Sequence, residues 1–219
     1  ASQQAVSAYE AITEAQGEFR DCEARAAASL NLLYDYAMSQ AAEKNYALAA
    51  NILSVAQDQP GWYQQQMYLT AQHYLEVEDH TAENVAQAWE YFIKAGELND
   101  AATRAEACVA EIRSMGDAAL AAGDYKGARE AFECLPDAKE SRDLTKYVRV
   151  REAEAEASTD YLSYRTVALR YEQLGDVRDS AERAAACREA LFAKAEALYA
   201  EGKYAEAAEC YFRQPDYKD

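Results

Sequence analysis

Helix breakers and strand formers are both scarce in this chain. Only three prolines and eight glycines interrupt 219 residues, and β-branched residues are thinly spread, which excludes a strand-rich fold. The glycines stand singly, so no phosphate-cradling loop exists. No apolar run approaches the ~18 residues of a membrane-spanning helix. Basic residues number 22 against 39 acidic ones, a net charge of −17. Such a surface repels phosphate backbones and anionic bilayers, which excludes nucleic-acid binding and disfavours membrane contact. A soluble, self-repelling surface is the preferred reading of the charge, with an acidic face for a basic partner as the alternative. No Ser/His/Asp set, paired-carboxylate site or cofactor motif stands out, so no catalytic residue, no cofactor and no enzyme are expected. The chain opens on Ala1 with no charged-then-apolar leader, which suggests a processed or cut start. It stops at Asp219 inside a repeated motif, so a fragment of a longer protein is expected.

What is present is a repeated box. Gly17-Glu-Phe-Arg-Asp, Gly96-Glu-Leu-Asn-Asp and Gly175-Asp-Val-Arg-Asp each place an apolar residue two after the Gly and an Asp four after it. Pro136 and Pro215 open the same box with Pro in the Gly slot, and Gly61 opens a degenerate copy. The steps between them average about 40 residues, a helical-array period. Half of the residues are apolar, and between boxes they recur at helical spacing. Asp179 to Glu201 is the clearest case. Helices are predicted at 3–15, 20–43, 46–57, 61–77, 83–95, 100–121, 125–134, 139–157, 160–173, 179–201 and 204–213. In this reading the Gly or Pro stops one helix, the apolar residue staples the next, and the box Asp, such as Asp100 or Asp179, caps it.

The shorter helices repeat as well. Gly123, Tyr125, Ala128 and Phe132 align with Gly202, Tyr204, Ala207 and Tyr211. This pattern resembles the second helix of the tetratricopeptide-repeat family, with Gly116 and Ala119 at the family's first-helix Gly and Tyr positions. The period of about 40 differs from the family's 34, which points to long-period bacterial arrays of this kind. The resemblance implies an all-α, right-handed superhelix (solenoid) of about five antiparallel helical-hairpin repeats. It also implies a single array over 1–219, with Ala128 and Ala207 allowing close helix approach and the aromatics filling the gaps.

Several residues are candidates for chemistry. His73, Glu76 and His80 have spacing compatible with zinc. However, position 73 lies twelve after a box glycine, as do Cys108 and Cys187, so His73 reads as a packed residue, with His80 beyond the helix end. The five cysteines, at 22, 108, 134, 187 and 210, form no Cys-x-x-Cys pair. They read as reduced core fillers, which favours a reducing environment, although a surface-anchored longer protein is also compatible with the sequence. Arg25, Arg104 and Arg183 stand four after a box Asp, the spacing of a helical ion pair. The alternative is a basic ladder that catches acidic side chains or a C-terminal carboxylate, as some tetratricopeptide clamps do. Lys146, Arg149 and Arg151 form the densest basic stretch and the first choice for such a patch. Among 17 tyrosines, Tyr63, Tyr68 and Tyr74 on one helix and Tyr161, Tyr164 and Tyr171 on another divide between core packing, the preferred reading, and a protein-binding face. Glu152, Glu154 and Glu156 read as a solvated helix face.

The expected function is a non-enzymatic scaffold whose concave face holds a protein or peptide, with Lys146, Arg149, Arg151, Tyr161, Tyr164 and Tyr68 as binding candidates. The alternatives are a structural spacer or stalk that self-associates end to end, and a regulatory sensor for a peptide or small ligand.

Overall fold

A computed structural model describes residues 2–16, 22–157 and 161–214. Within them the chain is all-helical, with α1 Ser2–Gln16, α2 Cys22–Ala42, α3 Tyr46–Leu53, α4 Trp62–Leu75, α5 Ala82–Ala95, α6 Ala101–Ala121, α7 Tyr125–Glu133, α8 Ala138–Ala157, α9 Tyr164–Leu174, α10 Ser180–Ala200 and α11 Tyr204–Phe212. Two predicted helices are partly 3₁₀. The one over 46–57 gives way to a 3₁₀ turn at Ser54–Ala56, and the one over 160–173 begins as a 3₁₀ turn at Tyr161–Ser163. The chain divides into two compact units, residues 1–111 and 112–219, with the division inside α6. The boxes opening at Gly17 and Pro215 lie outside the described residues.

The period of about 40 resolves into a stricter one of twice that length. Helices α2, α6 and α10 are each 21 residues long and start at 22, 101 and 180. Helices α3, α7 and α11 start at 46, 125 and 204, and α1, α5 and α9 end at 16, 95 and 174. Every one of these steps is 79 residues. Buried positions follow the same step: Leu33, Ile112 and Leu191 on the long helices, and Ala49, Ala128 and Ala207 on the short ones. Four helices therefore make one repeat, and the two kinds of box alternate along the chain.

Backbone geometry explains the glycine slots. Gly96 (φ 68, ψ −124) and Gly175 (φ 61, ψ −122) cap α5 and α9 in a conformation open only to glycine. Three residues later Asn99 and Arg178 adopt φ of 51 and 54. Asn suits the left-handed region, whereas Arg178 is anchored there by its side chain. That side chain pairs with Asp117 and lies over the rings of Phe132 and Tyr147, at 5.2 and 5.6 Å. A Cβ added at Gly96 or Gly175 meets nothing within 4 Å. The cost of Gly175→Ala is thus purely conformational, about 1–3 kcal/mol. Gly96→Ala should cost the same within error when both are measured by urea unfolding.

The short helices begin with a third left-handed residue, and here the register exposes a copy hidden in the sequence. Gly123 and Gly202 have φ of 77 and 76, and Lys44 has φ 64 in the same place. The backbone bonds repeat too: Lys44 N–H donates to Ala41 and Asn45 N–H to Gln40, as Gly123 does to Leu120 and Asp124 to Ala119. Lys44-Asn45-Tyr46…Ala49…Leu53 is therefore the same motif with Lys in the Gly slot. Its helix packs Ala49, Ala50 and Leu53 against Leu33 and Ala37 of α2 and Trp62 and Leu69 of α4. In the last copy, Ala207 and Cys210 of α11 pack on Leu191, Ala195 and Leu198 of α10.

Candidate functional site

In the Gly175 box the Asp does not cap its helix. Asp179 makes no capping bond; its carboxylate accepts instead from the Tyr147 hydroxyl of α8 and, at 2.9 Å, from Arg183 Nε. One repeat earlier, Asp100 accepts from the Tyr68 hydroxyl at 2.5 Å and from Arg104 Nε at 3.0 Å. The Asp–Arg helical pair is thus present in the Gly96 and Gly175 boxes, and a tyrosine from an earlier helix completes it. Capping falls to other residues. Asp137 accepts from the backbone N–H of Lys139 and Glu140 at 2.9 and 2.7 Å, and Asp124 accepts from Gly127 N–H. Glu140 occupies the fourth place of the Pro136 box and takes a bidentate pair from Arg113, at 2.5 and 2.8 Å.

These bonds shift the carboxylates downward. The Tyr68 hydroxyl and the Arg104 guanidinium hold Asp100 below the usual carboxylate range, and the Arg113 guanidinium does the same for Glu140. At Asp179 burial pushes upward, but the Tyr147 hydroxyl and the Arg183 charge outweigh it. A depressed folded pKa contributes stability that is present above the unfolded value of about 4 and lost as pH falls through the folded one. The urea midpoint is therefore expected to fall as pH drops below about 4. The fall should be shallower in Asp100→Asn, which has already lost its share.

The second repeat breaks the pattern of the first at three linked positions. Where the first has Gln72, Leu75 and Phe92, the second has Arg151, Glu154 and Tyr171. Gln72 accepts from Arg104 Nη1 at 3.3 Å. In the second repeat Glu154 takes that role, accepting from Arg183 Nη1 at 2.9 Å and from the Tyr171 hydroxyl at 2.6 Å. Arg151 Nε lies 3.3 Å from Glu154, close enough for charge attraction but not aligned for a hydrogen bond, while its Nη1 donates to the Tyr147 hydroxyl at 3.4 Å. Glu154 is therefore the hub of a network, not part of a solvated face. Glu152 is paired too, with Arg129 at 2.6 Å. Tyr171 is fully buried.

A second departure opens a cleft between α8 and α9. In the first repeat Tyr74 of α4 and Tyr91 of α5 stack with centroids 5.5 Å apart and planes at 14°, and Lys94 lies 4.7 Å over the Tyr91 ring. The same places in the second repeat hold Ala153, Arg170 and Gln173. With the stack gone, a cleft of about 360 Å³ runs between Asp143, Lys146, Arg149 and Val150 of α8 and Arg170, Gln173 and Leu174 of α9. It continues past Arg170 into a groove of about 400 Å³ lined by Ala153, Glu156, Ala157, Thr166 and Val167. Lys146, Arg149 and Arg170 are exposed and make no ion pair among the described residues. No family model matches this chain, and no curated protein or solved structure does.

Of the residues expected to bind, Lys146 and Arg149 share this cleft. Arg151 does not; it faces another pocket, with Asp117, Leu120, Tyr147, Arg178 and Asp179. Tyr161 and Tyr164 pack against the α10–α11 core, Tyr161 beneath Lys194 at 5.2 Å. Tyr68 serves Asp100 and meets Phe92 edge-on. Arg170 and Ala153 were not singled out by the sequence reading, yet the 79-residue comparison with Tyr91 and Tyr74 marks both. His73 is exposed rather than packed, because Gly61 opens the third helix of a repeat and the count from it matched unlike helices. Burial falls on Gln72 instead. His80 does lie beyond α4 and meets Glu111 at 2.7 Å. Among the described residues no His, Cys, Asp and Glu group is arranged to hold a metal. Cys22, Cys108, Cys187 and Cys210 are buried, Cys134 is half-buried, and none of the five is joined in a disulfide. Burial pushes the Cys108 and Cys187 thiols up to about 11, far from the thiolate a nucleophile needs.

Proposed function

We propose that this chain is a tetratricopeptide-like helical array, a solenoid by its repeat pattern, that acts as a non-enzymatic scaffold holding a protein or peptide partner. The α8–α9 cleft is its contact point. One observation carries this reading: in a chain of net charge −17, three cations with no ion pair among the described residues line the groove where the preceding repeat stacks two tyrosines. A repeated frame that leaves exposed cations along a groove between two of its helices has the pattern of a recognition surface set into a rigid scaffold. The exposed cations favour an acidic segment, because their attraction is realised only when a carboxylate arrives.

The test is fluorescence anisotropy with a labelled glutamate-rich decapeptide at low salt. Reversal of Lys146, Arg149 and Arg170 to Glu should weaken binding at least about tenfold, with unchanged helical circular dichroism, and the wild-type affinity should fall as salt rises. Equal binding by the triple variant would remove the cleft from consideration.

A further inference from the structure

We infer that the cleft takes an aromatic side chain of an acidic peptide, the ring entering the space that tyrosines fill in the preceding repeat. The inference rests on the binding role proposed above and adds the chemistry of the ligand. The molecule supplies its own template. Between α4 and α5 the Tyr74 and Tyr91 rings stack on each other, with a cation, Lys94, over the Tyr91 ring. Between α8 and α9 both rings are missing at once. Ala153 removes one completely, and Arg170 replaces the other with a planar guanidinium. The remaining walls are apolar where a ring would sit, at Val150, Ala153, Ala157, Val167 and Leu174. Each side of the stack is thus exchanged for the complement of a ring: a small residue that vacates its volume, and a cation able to lie over its face.

The charges select what flanks the ring. Lys146 and Arg149 stand on α8 one turn apart, beside the apolar floor, so carboxylates next to the ring can meet them. Asp143 is the carboxylate on the same side, and Glu156 lies in the continuing groove. The cationic stretch is therefore bounded at both ends, favouring a short acidic segment over an extended polyanion. Arg151 and Arg178, also nearby on the chain, are engaged with Glu154 and Asp117 and face the other pocket.

The experiment compares two labelled decapeptides, both glutamate-rich, one with a central tyrosine and one with alanine there, on the whole chain and on A153Y/R170Y. The double variant rebuilds the stack of the first repeat and closes the cleft from within. The tyrosine peptide is expected to bind the wild-type chain at least tenfold tighter than the alanine peptide, and this advantage is expected to vanish in A153Y/R170Y. If the double variant loses helicity, A153M, which fills the volume without a ring, replaces it with the same expectation. Equal affinity of the two peptides for the wild type would overturn the aromatic pocket and leave the acidic-partner reading standing. An advantage that persists in a folded, filled variant would place the ring elsewhere and also overturn the inference. Binding of neither peptide would overturn both readings.

Discussion

Glu154→Leu alone is expected to destabilise the chain by about 2–4 kcal/mol, and the triple variant R151Q/E154L/Y171F to restore stability to within about 1 kcal/mol of wild type. The single change leaves the hydroxyl of a fully buried Tyr171 and one arm of Arg183 without their acceptor. Breaking such a pair in a fully buried setting costs roughly 3–5 kcal/mol. The lower figure used here reflects water still reaching 22% of the Glu154 and 27% of the Arg183 side chain. The triple variant installs the residues of the first repeat: Gln72, whose amide satisfies Arg104, the fully buried Phe92 and the half-buried Leu75. Replacing a buried polar set together is often neutral, while removing one member is costly. Both tryptophans, Trp62 and Trp89, lie in the first unit. Circular dichroism is therefore the readout for the loss, with tryptophan fluorescence following the first unit alone. A triple variant no more stable than the single one would show that the two sets are not interchangeable.

Gly116→Ala should cost about 1–3 kcal/mol, and adding Phe132→Leu should recover most of it. A Cβ at Gly116 would stand 2.4 Å from Cε1 of Phe132, a ring with no exposed surface. The equivalent pairs show the two ways out of this clash. In the first repeat Ala37 is accompanied by Leu53, a smaller partner that stays buried. In the last, Ala195 is accompanied by Tyr211, which is only partly buried and turns its hydroxyl to Glu196. Phe132→Leu on its own should be mildly destabilising, since it leaves a gap beside glycine. A double-mutant cycle from urea unfolding should then show a favourable coupling above about 1 kcal/mol. Additive effects would indicate that the ring moves aside freely.

The helices were legible because their signals are local. Apolar spacing along 179–201 and single glycines at helix ends need no knowledge of what lies across the fold. Their pairing was less legible. Asp179 has the chemistry of a cap, and the Tyr147 hydroxyl, arriving from another helix, engages it together with Arg183 instead. Glu154 looked solvated because it alternates with alanines, yet the residues that bury it, Tyr171 and Arg183, sit on α9 and α10. The cleft lay half in view: Lys146 and Arg149 drew notice as charges, but Ala153 is informative only as a missing tyrosine. Seeing that requires the 79-residue register, and boxes taken as equal at every forty residues conceal it.

That register also sets the increment in which the chain can be lengthened. Residue 101 follows 100 in the same setting as 180 follows 179: both junctions join the box to the first residue of a 21-residue helix. A second copy of 101–179 inserted at either junction would meet a familiar neighbour on each side. An insert of half that length would bring a 21-residue helix of the α6 kind directly after α7, where α8 belongs. Growth by whole four-helix blocks keeps the order of long and short helices, and it would multiply the number of grooves that can be left open or closed independently.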